Sequence, residues 1–226
     1  MTGRIMDKIL WLRVEWKGSF EVVRSNLAKS SYTESDGSGF ILEQVRERLI
    51  SGRFVEKRVF DYETLDPFNN TVRFQNTRYD YVHFRISTES VGLEIWNPPR
   101  SIRTFLSTLA EFSGFRIAVS NLKINILSWM RNIESSLGRI ELESLVCDEI
   151  MFSSSSRGRL WLAGSGDLLK TVERFGAVRV REVAFRYFHP AKGTGKSLLN
   201  DSGFCKISGT RDSTAIADIF EQAIPL

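Results

Sequence analysis

Near the end of the chain, His189-Pro190-Ala191-Lys192-Gly193-Thr194-Gly195-Lys196-Ser197 carries the closing half of a phosphate-binding loop. A complete loop has a glycine, four residues, then Gly-Lys-Ser/Thr, set between a strand and a helix so that backbone N–H groups cradle phosphate. Pro190 stands where the first glycine belongs. Proline removes a donor amide and fixes φ, so the loop loses both a ligand and its turn. Asn200, Asp201 and Gly203 then interrupt any helix after Ser197. The segment is therefore expected to be a flexible Gly/Lys/Ser loop that holds no nucleotide, and no cofactor is expected elsewhere.

Other reactive residues are few. His83 and His189 are the 2 histidines, and Cys147 and Cys205 the 2 cysteines. None of the four stands at zinc-ligand spacing, and nothing around Cys147 suggests an activated thiolate for a pairing with His189. No Gly-x-Ser-x-Gly elbow occurs, and the Ser153–Ser156 run is expected to be a hairpin loop. Glu15-Trp16-Lys17 has the E-x-K form of metal-dependent nucleases, whose carboxylates hold a divalent ion while the lysine steadies the attacking water. Asp7, on the same extended stretch, would lie about 27 Å from Glu15 at ~3.4 Å per residue. Asp61, Glu63 or Asp66 would have to complete such a site. This leaves a nuclease as a distant alternative.

The segment from Val72 to Ile86, VRFQNTRYDYVHFRI, offers binding chemistry instead. Val72, Phe74, Val82, Phe84 and Ile86 alternate onto an inward face that Asn76 and Asp80 interrupt. Arg73, Gln75, Tyr79, Tyr81, His83 and Arg85 fall on the outward one. Interleaved arginine and tyrosine suit single-stranded nucleic acid, because bases stack on rings while cations meet phosphates. Tyr79, Tyr81, Val82 and Phe84 match part of the aromatic pattern of RNA-recognition sheets, although Thr77, Arg78 and Asp80 depart from it. Arg100 and Arg103 at a helix start, with Arg179, Arg181 and Arg186 further on, would extend the field. The same residue types favour protein interfaces and solvated sheet faces.

The elements that must position these residues follow from periodicity. Ile9–Trp16 reads as a strand, with Leu10, Leu12 and Val14 on one face. Ser30–Gly39 is a polar loop. In FILEQVRERLI, Ile41, Val45 and Leu49 share a helical face that Gly52 would cap. A strand follows, and Asp66-Pro67 with Asn69-Asn70 marks a turn. Beyond it the chain aligns with itself, Val72 with Ile140, Phe74 with Leu142, Asp80 with Asp148 and Phe84 with Phe152. Each copy reads strand, short strand (Gly92–Trp96, Gly158–Leu162), turn, helix, strand pair, with Pro98 and Pro99 in one first helical turn and Asp167 capping the other. Ser128–Gly138 would link the copies. After a Gly/Ser-rich loop, a last helix from about Asp212 has Ile216, Ile219, Phe220 and Ala223 on one face.

The expected fold is α+β, a mostly antiparallel sheet with helices packed on one face and a tandem ββαββ duplication. Its segments are 1–70, a β-α-β segment; 71–127 and 139–188, the two units; and 189–226, a loop and docking helix. With 226 residues and a net charge of +4, the chain is long enough for a sizeable core and only mildly basic. Its first residues lack the apolar core and cleavage site of a signal peptide, and no apolar run is long enough to span a bilayer, so a reduced, cytoplasmic protein without membrane contact is expected. The function expected is a non-enzymatic binding or accessory protein. It would engage nucleic acid, another polyanion or a partner protein through Arg73, Tyr79, Tyr81, His83, Arg85, Arg100 and Arg103. The alternative is an interaction subunit of a multi-component bacterial system, such as antiviral defence, or a homo-oligomer, without direct nucleic-acid contact.

Overall fold

A computed structural model describes residues 6–153, 156–176 and 178–225. The first stretch holds β1 (Met6–Trp16), α1 (Phe20–Lys29), β2 (Ser38–Val45), β3 (Leu49–Leu65), β4 (Thr71–Ser87) and β5 (Gly92–Trp96). Then come α2 (Arg103–Phe112), β6 (Ile117–Asn121), α3 (Ile126–Leu137), β7 (Arg139–Ser153) and β8 (Ser156–Ala163). The chain ends with α4 (Leu168–Glu173), β9 (Arg179–His189), β10 (Gly193–Asn200), β11 (Phe204–Ser208) and α5 (Ser213–Gln222). The fold is mixed α and β with strand predominant. No helix among the described residues is long and apolar enough to cross a membrane.

Two compact units share the chain. One comprises Met1–Arg13, Ser90–Asn97 and Ser120–Leu226, the other Val14–Glu89 and Pro98–Val119. In the first, strands run in the order β5-β1-β11-β10-β9-β7-β8. Its registers are antiparallel: Ile9 opposite both Trp96 and Cys205, Leu199 opposite Cys205 and Val183, Leu145 opposite Val183 and Leu162. Helices α3, α4 and α5 bury Trp129, Ile133, Leu137, Leu168, Val172, Ile216 and Phe220 in one core with Trp11, Val183, Phe185, Tyr187 and Ile207. Trp129 meets Trp11 edge-on at 5.9 Å and donates its Nε1–H to the Phe220 carbonyl at 2.8 Å, tying α3 to α5.

In the second unit, β2, β3 and β4 form an antiparallel meander. Phe40, Phe54, Phe84 and Phe105 pack ring on ring at 5.4–6.4 Å where α2 lies on the base of the β3–β4 hairpin. α1 begins at Ser19, whose Oγ accepts from Glu21 N, and buries Val23 and Leu27.

Several expectations fail for identifiable reasons. FILEQVRERLI is a hairpin, not a helix, because Phe40 and Phe54 face the same aromatic core across paired strands. Gly52 is no helix cap. It sits inside β3 beside a bulge, where a Cβ would collide with the Ile41 carbonyl oxygen and lie 2.9 Å from Leu42 Cα. Ser128–Gly138 is no linker, since Trp129, Ile133 and Leu137 recur every four residues and make α3 a core helix. That helix replaces the second strand expected after β6. The corresponding strand pair of the second copy is the single strand β9. Pro98 and Pro99 precede α2, whose N-cap is Ile102. The expected Gly/Ser loop after β9 is instead β10 and β11. The N-terminal residues 1–5, the Phe152 side chain aligned with Phe84, and part of the Ser153–Ser156 loop lie outside the described residues.

Candidate functional site: an exposed hairpin arm

β3 and β4 pair along seventeen residues each, from Leu49↔Ser87 to Leu65↔Thr71. Their inner ends are core. From Arg58 outward on β3 and back to Tyr79 on β4, every residue is exposed on both faces of the ribbon. Eight residues at ~3.4 Å each extend this arm about 27 Å. Val72 and Phe74 were expected to point inward but are 44% and 52% exposed. The alternation that buries Val82, Phe84 and Ile86 continues past the point where α2 covers the sheet.

Pairing puts Arg58, Phe60, Tyr62, Val72, Phe74, Asn76 and Arg78 on one side of the arm. Tyr62 and Phe74 stack at 5.2 Å with rings 11° apart, and Phe60 lies 6.5 Å from Tyr62. The tip adds Phe68, 82% exposed. There Asp66 closes the turn by accepting from Phe68 N and Asn70 N, both at 2.8 Å, and from Asn70 Nδ2 at 2.9 Å, with Asn69 at φ 64°. The Asn70 side chain and backbone donors hold the Asp66 carboxyl below its usual range. An isolated two-stranded ribbon is marginal in water, so these contacts keep the arm extended.

The opposite side carries the expected row. Tyr79 and Tyr81 are exposed at 37% and 46%, Arg73 and His83 are exposed, and Arg85 is half-buried. The structure thus brings Arg73, Tyr79, Tyr81, His83 and Arg85 onto one face. Its charges are compensated within the chain. Arg73 Nε pairs with Glu63 at 2.7 Å, and Lys57 Nζ with Glu34 at 2.8 Å. Glu34 also accepts from the Tyr79 hydroxyl at 3.1 Å, and Lys57 above all draws its carboxyl below the ordinary range. The Arg53 guanidinium lies over the Tyr81 ring at 5.7 Å. On the aromatic side, Arg58 pairs with Glu56 at 3.0 Å and Arg78 with Asp80 at 2.7 Å, and Arg58 also reaches Asp80 at 3.1 Å. Arg100 and Arg103 are not part of this row. Arg103 opens α2, which packs Phe105 on the other side of the hairpin base.

The remaining candidates resolve into packing. The GTGKS run is β10, paired on both sides, and Lys196 Nζ bonds both Glu143 carboxylate oxygens, at 2.8 and 2.9 Å. Gly195 lies opposite Tyr187, and a Cβ there would collide with the buried phenol. His189 Nδ1 accepts from Ala191 N and Lys192 N at 3.1 and 3.0 Å, closing the β9–β10 turn. Both cysteines are buried, and burial pushes their thiols up. Among the described residues no three of His, Cys, Asp and Glu converge to hold a metal ion. Glu15 and Lys17 are exposed near the end of β1.

Sequence reasoning missed the aromatic side of the arm because it took alternation to mean burial. The length of the uninterrupted pairing on both sides of the Asp66–Asn70 turn was the available signal. Comparison with known protein families and with curated proteins gives no match.

Proposed function

We propose that this chain is a non-enzymatic docking protein that engages a partner protein through the β3–β4 arm. The observation that carries the reading is the set of Phe60, Tyr62, Phe68, Val72 and Phe74, all exposed along one ribbon that its own core never covers. A contiguous exposed apolar strip on a protein surface marks an interaction site, and aromatic anchors dominate such sites. Pairwise compensation of Arg73, Lys57, Arg58 and Arg78 argues for a partner of mixed charge with an apolar groove rather than for a polyanion. On this reading Tyr79, Tyr81, His83 and Arg85 form the polar rim of the same contact. Accessory subunits of multi-component bacterial systems, including antiviral defence, fit this description.

The test is stoichiometric co-purification from the native host after nuclease treatment, with wild type and Tyr62→Glu/Phe74→Glu compared. The expected result is a partner retained by wild type and lost by the variant while thermal unfolding of the rest of the chain stays cooperative and unshifted. A partner held equally by both, or a chain with no partner at native abundance, overturns the proposal. Self-association that the same variant abolishes identifies a second copy as the occupant and overturns the heteromeric reading.

A further inference from the structure

α3, α4 and α5 all pack on one face of the sheet in the unit that contains β7–β11. The opposite face of those strands receives no helix of that unit. Strand register decides which side chains stand there. Lys8 is opposite Lys206, which is opposite Leu198, which is opposite Ala184. One rung along, Lys196 is opposite Arg186. Val146 is opposite Trp161 at the far strand β8. Partners directly opposite on antiparallel strands share a face, so the first and last strands of the chain contribute cations to one surface.

The charge pattern on this surface differs from that of the arm. Lys8 and Lys206 face each other with no carboxylate in ion-pair reach of either among the described residues. Like charges directly opposite destabilise a sheet, and an external anion relieves that repulsion. Two of the carboxylates nearby are each shared by two cations. Glu143 takes Arg186 at 2.9 Å and Lys196 at 2.8 Å, and Asp148 takes Arg159 at 2.6 Å and Arg181 at 2.9 Å. The Glu143 cluster keeps a net positive charge, whereas Asp201 and Glu182 also act on Arg181 and bring the Asp148 cluster nearer to balance. Beside the Asp148 cluster stands Trp161, 66% exposed. Nothing in the fold requires an indole at that position on an edge strand.

We infer that the face of β7–β11 opposite α3, α4 and α5, with the half-buried Lys8 and Lys206 at its margin, binds single-stranded nucleic acid. Lys8 with Lys206, Arg186 with Lys196, and Arg159 with Arg181 meet successive phosphates, and a base stacks on Trp161. Five strand spacings of ~4.8 Å separate β1 from β8, an arc of about 24 Å that an extended oligonucleotide crosses. Cationic grooves with exposed rings are the general means of holding single strands, since every base has a π-face. A duplex would not bring a base onto Trp161. The inference does not depend on the arm.

The test is fluorescence anisotropy of end-labelled oligodeoxythymidylate and oligouridylate with the full chain. Affinity is expected to fall linearly with salt on logarithmic axes, and Lys8→Gln/Lys206→Gln, which removes one phosphate contact, to lower that slope by roughly 0.7. Trp161→Ala, an exposed substitution that leaves the fold intact, is expected to weaken binding about tenfold. Arg78→Gln on the arm is expected to leave it unchanged. Absence of binding at low salt overturns the inference, as does binding insensitive to both the lysine pair and Trp161. Equal displacement by polyglutamate, with Trp161→Ala silent, makes the ligand an acidic polypeptide and overturns it too.

Discussion

Gly195→Ala tests why a glycine stands in the GTGKS run. If the glycine served a phosphate, alanine would leave the fold untouched. The structure says otherwise, because a Cβ at 195 would collide with the hydroxyl and Cζ of Tyr187 and lie 2.8 Å from Cε1. Tyr187 has no exposed surface and is fixed edge-on against Phe220 at 6.3 Å, so it has nowhere to retreat. Overpacking of this kind costs about 1–3 kcal/mol. Replacing a strand glycine by alanine returns roughly 0.5–1 kcal/mol through lost unfolded-state freedom. The net expectation is a loss of about 1–2 kcal/mol, or about 3–6 °C in Tm for a chain of this size. Urea and thermal denaturation of Gly195→Ala, Tyr187→Leu and the double variant form a cycle. In the Tyr187→Leu background the alanine should cost nothing, giving a coupling of about 1–2 kcal/mol. A neutral Gly195→Ala, or strictly additive effects, refutes the steric account.

Glu94, buried in β5, accepts from Trp11 Nε1 at 3.2 Å and from Trp96 Nε1. Glu94→Ala, which strands two indole donors, should lose about 2–4 kcal/mol of stability in urea denaturation, and Glu94→Gln distinctly less. Arg159 and Arg181 hold the Asp148 carboxyl below its ordinary range, and Lys196 with Arg186 does the same for Glu143. Because these pKa values are depressed on folding, their contribution is complete above about pH 4, the unfolded carboxylate value, and is lost as pH falls through the folded ones. Asp148→Asn/Glu143→Gln should therefore flatten the acid limb of a stability–pH curve and leave the neutral-to-basic limb parallel to wild type. An unchanged acid limb excludes this role. Loss of partner capture by Tyr62→Glu/Phe74→Glu and the lower salt slope of Lys8→Gln/Lys206→Gln complete the set.

Local pattern carried β1, β4, β5, α2 and α5 into view, because each has one clear period and a terminator. Asp212 caps α5 by accepting from Ala215 N, as its placement before Ser213 suggests. α1 was hidden by a polar helix with only Val23 and Leu27 buried, although Ser19 signals its start. The β2–β3 hairpin was read as a helix because Ile41, Val45 and Leu49 also fit a four-residue step. Only tertiary contact between Phe40 and Phe54 decides between the two. Exposure of Tyr79 and Tyr81 followed from alternation, but exposure of Phe74 did not, since alternation names a face and not what covers it. Lys8 and Lys206 become neighbours through β1–β11 pairing, which no local window contains.

That pairing has a bearing on how the molecule comes into being. β1 is synthesised well before β11, one of the strands with which it pairs. The segment soon after β1 that forms the three-stranded meander β2–β4 can settle while synthesis continues. β1 must wait, its Ile9 and Trp11 exposed, until Cys205 and Ile207 arrive. Closure of so distant a contact is slow, so maturation of this sheet is gated by the arrival of β11, and holdase chaperones have their longest opportunity at β1.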